Sequence, residues 1–303
     1  MKKITAVFLG LLISASAVHA GNPAGAPFMA TGLKIGEVTA TEAIVWVRLT
    51  QDQQRVDFGA PMPVVTYTDA TTGELIEEPR YRDPNSVPAV EFPDGSSVRT
   101  IEGAAPGAAG VARVLYRLDD VGKFTATSWQ KVDPAADFTT QFQLSGLEPA
   151  RQYMIAVEFG PEPGQDLKRL AGQFRTAPST EAVAPVTFTV VTGQRYPNRD
   201  SDDGFNIYPQ MQKLDPDFFV HTGDILYYDE FAKTRDLAHW HWQRTYSLNH
   251  LVEFHRNVPS YFIKDDHDTF VNDAWPTMET HFMGDFTFEE GVEIFRQQVP
   301  MGD

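Results

Sequence analysis

Hydrophobic and polar positions follow two different rhythms along this 303-residue chain. Up to Thr176 the apolar residues fall in short runs: Leu33 to Val38, Ala43 to Leu49 around Trp46, Arg113 to Tyr116, Phe138 to Leu144, Tyr153 to Val157 and Gly172 to Thr176. Runs of this length, alternating or rich in β-branched residues, predict strands that bury one face against a partner sheet. The stretch from Gln51 to Gly110, rich in Pro, Gly, Ala and acidic residues, breaks that rhythm. It reads as an insertion with a hairpin around Val64 to Leu75. Ala177 to Glu181 is expected to be a linker, and beyond it the period changes. Val186 to Val191 is a continuous apolar and β-branched run, the pattern of a strand covered on both faces. A helix over Phe205 to Leu214, a strand over Phe218 to Thr222, a long helix over Lys233 to Asn257 and a strand over Ser260 to Lys264 follow. This β-α-β-α-β order predicts a parallel sheet with right-handed crossovers. The fold class is therefore a β-sandwich over residues 21–178, with its insertion near 51–110, followed by a partial α/β domain over residues 185–303.

Composition places the chain outside the cytoplasm. Lys2-Lys3 precedes an apolar run from Ile4 to Val18, and Val18-His19-Ala20 offers small residues where a signal peptidase cuts. Residues 1–20 are expected to be a signal peptide and the mature chain to begin at Gly21, in the periplasm or outside the cell. The apolar run is too short for a membrane anchor. There is no cysteine, which excludes disulfides, thiolate metal sites and cysteine nucleophiles. The formal net charge is −16, and loss of Lys2 and Lys3 makes it more negative still. Such acidity argues against nucleic acid and anionic membranes as partners. It also means that an anionic substrate needs local positive charge, which metal ions would supply. A monomer is expected.

The candidate chemistry lies where the three parallel strands end, at Thr192-Gly193-Gln194, Gly223-Asp224 and Asp265-Asp266-His267-Asp268. Carboxylates at such ends are costly to bury without a cation or partner, and the crevice beyond the strand ends is where open α/β sheets bind ligands. Gly223 lets the backbone approach an ion closely, and Asp224 is placed to bridge cations. Tyr227, three residues on, is placed to offer a phenolate to a ferric ion. His267 is placed to contact a phosphate or protonate a leaving alkoxide. Two metals together clamp a phosphoryl group and make water more acidic. Gln194, Arg195, Asp265 and Asn272 are further candidates for metal or substrate contact. Asp265 is also suited to a helix cap, or to orienting His267 through a hydrogen bond. His239 and His241 are spaced i, i+2 on a helix and face apart. His221 reads as a core histidine.

These motifs resemble the alkaline phosphatase D (PhoD-like) branch of the metallophosphoesterases over most of the chain. In that family a signal peptide and a fibronectin-like domain precede a strand ending in Ser-Cys-Gln, a G-D-x-x-Y motif and a strand ending in D-D-H-E. Here the corresponding positions are Thr192-Gly193-Gln194, Gly223-Asp224-Ile225-Leu226-Tyr227 and Asp265-Asp266-His267-Asp268; His255 to Pro259 is also similar. Leu147 to Tyr153 resembles the tyrosine corner of fibronectin type III sandwiches. The resemblance implies an exported phosphoesterase acting on phosphate mono- or diesters. It further implies metal ligands at Asp224, Asp266 and Tyr227, with Tyr227 on iron and His267 contacting substrate. Two or more metal ions would be bound, calcium or iron first, with zinc or manganese as alternatives.

Two departures stand out. Gly193 occupies the position of the family's metal-binding cysteine, and nothing after Asp268 resembles the later histidine motifs. The second domain is therefore expected to be the N-terminal half of a metallophosphoesterase, loosely folded and without enzymic turnover as it stands, joined to a sandwich that folds alone. Two alternatives accompany this reading: a non-catalytic exported binding protein built on the sandwich, and an enzyme of the purple acid phosphatase kind.

Overall fold

A computed structural model describes residues 25, 27–83, 85–119 and 122–302. The expected signal peptide and the mature start at Gly21 lie outside the described residues. The first region runs through β1 (Leu33–Gly36), β2 (Glu42–Arg48), β3 (Val64–Asp69), β4 (Ser86–Glu91), β5 (Val111–Leu118), β6 (Thr125–Ala126), β7 (Gln130–Lys131), β8 (Thr139–Ser145), β9 (Gln152–Gly160) and β10 (Lys168–Arg175). β1, β2 and β8 form one antiparallel sheet; β10, β9, β5 and β6 form another in that order, with β7 also on β5. Alternate residues from both sheets meet in one core, including Ile35, Val47, Phe142, Val114, Val157 and Phe174. Two sheets sharing one apolar layer are what the alternating pattern requires. Tyr153 closes a corner of this layer, its hydroxyl accepting the Glu148 N–H at 2.9 Å.

The insertion holds the expected hairpin in short form: β3 turns after Asp69, and Leu75 bridges back to Thr68, flanked by Asp69 N–H to the Glu74 carbonyl at 2.9 Å and Ile76 N–H to the Tyr67 carbonyl at 2.8 Å. β3 also pairs along its full length with β4, Val64 opposite Glu91 and Asp69 opposite Ser86. The intervening segment is pulled away by distant partners: Thr280 donates its hydroxyl to the Tyr81 carbonyl, and Arg82 pairs with Asp273. Ile101 and Ala104 of the insertion pack on Leu237 and Trp240.

The second region holds β11 (Phe188–Val191), α1 (Ile207–Gln212), β12 (Phe218–His221), α2 (Tyr228–Phe231), α3 (Arg235–Tyr246), α4 (Asn249–His255), β13 (Ser260–Phe262) and α5 (Phe288–Gln298). β11, β12 and β13 are parallel and adjacent in that order. The expected long helix is two. α3, capped by Thr234, stops at Ser247, and Leu248 turns extended before α4. Asp203 receives the Asn249 side chain at 2.7 Å and the His250 N–H, so a loop docks where the helix would have run on. β11 is also covered on one face only, with Phe188 54% and Val190 50% exposed, although its unbroken apolar run suggests burial on both. An aromatic core built on Tyr208, Phe219, Trp242, Tyr246, Phe254 and Phe295 lies beneath the sheet.

The two regions are locked together. The last carbonyls of a helix have no partner within it, and those of α5 are satisfied from the other region. Lys34 Nζ donates to the Gln298 carbonyl and Trp46 Nε1 to that of Gln297, each at 2.7 Å. The Lys34 ammonium also lies 3.7 Å from the Trp46 ring centre and 4.1 Å from that of Tyr246. β1 is thus buried on both faces. No helix among the described residues is long and apolar enough to cross a membrane.

Candidate metal centre

Three strand ends are stitched side by side by backbone hydrogen bonds. Beyond β11, the N–H groups of Gly193 and Gln194 donate to the carbonyls of Gly223 and Asp224 at 3.2 and 2.8 Å. Beyond β13, the Asp268 carboxylate accepts the Ile225 N–H at 3.0 Å and the Asp265 N–H at 2.6 Å. Tyr228 N–H closes the seam on the His267 carbonyl at 2.9 Å. Gly223 makes this contact possible. Its φ is +107°, and a Cβ there would lie 2.6 Å from Asp265 Cβ, so any side chain would push the loops apart.

This stitching brings Asp224, Asp266 and His267 together, with one ligating atom of each within 4.8 Å of the others. Asp224 has a φ of 52°, a left-handed conformation that a non-glycine residue keeps only when its surroundings hold it. Its Oδ2 accepts the Tyr227 hydroxyl at 3.2 Å, while its Oδ1 is buried with no partner among the described residues. Asp266 is aimed by backbone groups: its own loop's His267 N–H reaches Oδ1 at 2.9 Å, and the Asp273 N–H binds Oδ2. His267 lies against the Tyr227 ring, centroids 4.5 Å apart, and its Nδ1 is 3.0 Å from Asp229 Oδ2. That contact is a charge pairing rather than an aligned hydrogen bond, since Nδ1 has no hydrogen-bond partner of good geometry among the described residues.

Carboxylates outnumber cations here, and burial sharpens the imbalance. Burial raises Asp224 above the usual carboxylate range, with Asp266 and Asp265 adding to the rise against His267 and Tyr227. Burial and the Asp224 carboxylate push Tyr227 up to about 12. Burial works to lower His267, but Asp229, Asp224 and Asp266 outweigh it and carry the imidazole to about 9. Burial takes Asp268 to about 7 despite its two backbone donors. An orphaned buried carboxylate oxygen beside a second carboxylate, a phenol and an imidazole fits a hard or borderline cation.

The remaining candidates fall elsewhere. The Gln194 side chain turns into the core, where its oxygen accepts the Tyr208 hydroxyl. Arg195 pairs with Glu230. Asp265 accepts the Asp266 N–H at 2.9 Å and does not orient His267; Asp229, two residues after Tyr227, does. Asn272 donates to Tyr81 Oη at 2.9 Å and to Asp273 at 3.0 Å, bracing the loop that presents the Asp273 N–H. Sequence reasoning passed over Asp229 and Asp268. Asp268 carries a readable signal, a carboxylate two residues before the apolar Phe270 and Val271, whereas Asp229 looks like any acid in a helix's first turn. His221 is fully buried, held down to about 4 by that burial, as a core histidine should be.

Residues 188–297 match the family model described as PhoD-like phosphatase, so the resemblance drawn from the strand-end motifs is borne out over that region. Among solved structures, one described as the structure of PhoD superposes with a TM-score of 0.61 at 17% identity, covering 93% of this chain. The chain spans about half of that structure's length, 48%. A purple acid phosphatase from yellow lupin (Lupinus luteus) seeds overlaps with a TM-score of 0.45 at 14% identity, over 89% of this chain and 41% of its own. No curated protein sequence matches significantly.

Proposed function

We propose that this chain carries the metal-binding and substrate-contacting residues of an exported, metal-dependent phosphoric ester hydrolase of the PhoD kind. The observation that supports it most is the meeting of Asp224, Asp266 and His267 at neighbouring parallel strand ends, with one buried oxygen of Asp224 left free. Asp224 and Asp266 hold the cation, with Tyr227 joining them once its proton is lost. A cation bound there supplies Lewis-acid charge at the phosphoryl group and makes water a better nucleophile. Asp229 faces His267 Nδ1 and helps hold the imidazole against the Tyr227 ring, from where His267 contacts a phosphoryl oxygen or gives a proton to the leaving oxygen. Asp268 and the Asp273 N–H hold the two carboxylate loops in place. Calcium or iron, with zinc or manganese as alternatives, suits this donor set, in a site of two or more ions. We further propose a periplasmic or secreted monomer whose first domain, 21–178, is fibronectin-like and whose second, 185–303, is metallophosphoesterase-like.

Gly193 keeps a second reading alive, a binding protein without turnover. The first strand end offers no side-chain donor there, although a Cβ at Gly193 would sit 3.9 Å from the Tyr227 hydroxyl. Elemental analysis and hydrolysis of p-nitrophenyl phosphate and its diester separate the two. Metal retained by the wild type and lost in Asp224→Asn, with turnover lost alongside, supports the hydrolase. Turnover that survives loss of the metal rejects the hydrolase reading, and equal metal content in both proteins rejects the site.

A further inference from the structure

One short helix away from the acidic cluster lies its electrostatic opposite. In a chain of net charge −16, three guanidinium groups crowd round one phenol ring: those of Arg199, Arg244 and Arg55 lie 4.7, 4.8 and 5.3 Å from the centre of Tyr196. Arg55 and Arg199 also stack on Phe58, at 4.5 and 4.3 Å. Arg195 joins the group through Glu230, which it shares with Arg244. The carboxylates paired with these four arginines are Glu230 and Glu102, and the Arg199 contact to Glu102 is a loose 3.8 Å.

Stacking on aromatic faces fixes guanidinium planes but does not neutralise them. Arg244 sharpens the point: its side chain is 2% exposed, and its Nε and Nη1 have no hydrogen-bond partner among the described residues. A buried cation with unmet donors, among like charges, is held at a cost that an anion removes. The patch can be reached, since the Arg195 side chain is 51% and that of Arg199 21% exposed. It is also coupled to the metal centre. α2 turns Asp229 toward His267 and the next residue, Glu230, toward Arg195 and Arg244. Arg195 feels Glu230 most, then Asp229 and Tyr227, all of which favour its charged form.

We propose that Arg195 and Arg199, steadied by Arg55, Arg244 and Phe58, form a subsite for a second anionic group on the substrate. This rests on the hydrolase reading and narrows it to esters with a further phosphate beyond the scissile one, that is, diphosphate esters. Simple monoesters with a neutral leaving group would gain nothing from it.

The test compares inorganic pyrophosphate with inorganic orthophosphate by calorimetric titration of the isolated protein at low ionic strength. One charge-assisted contact changes affinity by about tenfold, so pyrophosphate should bind at least about tenfold more tightly. Arg195→Gln with Arg199→Gln should bring the ratio close to one while bound metal, by elemental analysis, is unchanged. Phe58→Leu, which removes the stacking platform without touching charge, should lower the ratio part of the way. Equal affinity for the two anions in the wild type, or an unchanged ratio in the double variant, overturns the proposal. Failure of the metal centre itself would register separately, as equal metal content in wild type and Asp224→Asn.

Discussion

Asp137 and Asp224 are nearly the same residue in backbone terms and opposite in purpose. Both sit in left-handed conformations, at φ 53° and 52°, and both are largely withdrawn from water. Asp137, between the two regions, has every lone-pair direction used. Arg48 grips both of its oxygens at 2.8 and 2.9 Å, and the Gln243 and Gln298 amides add contacts at 3.2 Å. Asp224 has one long contact from Tyr227 and a buried oxygen with none. A carboxylate that holds a fold together is saturated by the fold, whereas one that waits for a cation is held in place by backbone and left open. The open acceptor on Asp224, rather than burial or strain, is what separates it from Asp137.

The largest effect expected from this contrast is on stability. Asp137→Ala leaves Arg48 buried without its partner, and breaking such a pair costs about 3–5 kcal/mol. Asp224→Asn relieves repulsion with Asp266 and should leave stability within about 0.5 kcal/mol while lowering metal affinity by more than about a hundredfold, beyond the loss typical of supporting residues. Denaturant titration of both variants, alongside metal analysis, checks the pair. If Asp137→Ala proved as stable as the wild type, the saturation argument would fail.

A second, somewhat smaller effect separates satisfied from tolerated charge. Lys233 is buried, its Nζ donating to the Asp229 carbonyl at 2.8 Å beneath the Phe282 ring. Burial depresses it to about 7, with Asp229 opposing. The unfolded chain holds that proton up to about pH 10. Below pH 7 both states are charged and the full burial cost is borne. Between about pH 7 and 10 the unfolded state binds more protons, so this contribution to stability rises with pH. Lys233→Met should flatten that rise, by on the order of a few kcal/mol between pH 6 and 10. Identical pH profiles for wild type and variant would show that Lys233 titrates normally.

Much of this was legible in the sequence. Alternation at Leu33 to Val38 and the β-branched run around Trp46 predicted paired strands, and the runs before Thr192, Asp224 and Asp265 gave the parallel order and the convergence of Asp224, Asp266 and His267. What stayed hidden was set by contacts distant in sequence. Periodicity cannot show that Asp203 would intercept the helix at Asn249, or that β3 would also pair with the distant β4. Nor can it show that Asp229 rather than Asp265 would face His267. Lys34 and Trp46 alternate correctly for a solvent face, and only the free carbonyls of α5 explain their burial.

Glycine offers a third comparison, between two positions at the same strand ends. Gly223→Ala forces a Cβ against Asp265 at 2.6 Å in a left-handed conformation and should cost about 1–3 kcal/mol. It should also weaken metal binding, because it parts Asp224 from Asp266. Gly193→Ala carries the backbone penalty alone and should cost about 1 kcal/mol. Thermal melts of the two variants rank them, and a larger loss at Gly193 would contradict the described contacts.

The smallest effect expected is also the most diagnostic of what Gly193 has left undone. Its φ is +66°, and a Cβ there meets only the Tyr227 hydroxyl, 3.9 Å away, so a side chain fits at modest strain. Gly193→Cys would set a thiol beside the phenol that already reaches Asp224. A soft thiolate favours zinc or iron over calcium, which prefers oxygen alone. The variant should therefore shift selectivity toward zinc by about tenfold, the gain from one good charged contact, with calcium affinity unchanged. Competition dialysis with both ions against wild type and Gly193→Ala measures this, the alanine variant removing the effect of backbone strain. Unchanged selectivity in Gly193→Cys would mean that the first strand end does not face the cation, and that Asp224, Asp266 and Tyr227 hold it from the other two strands alone.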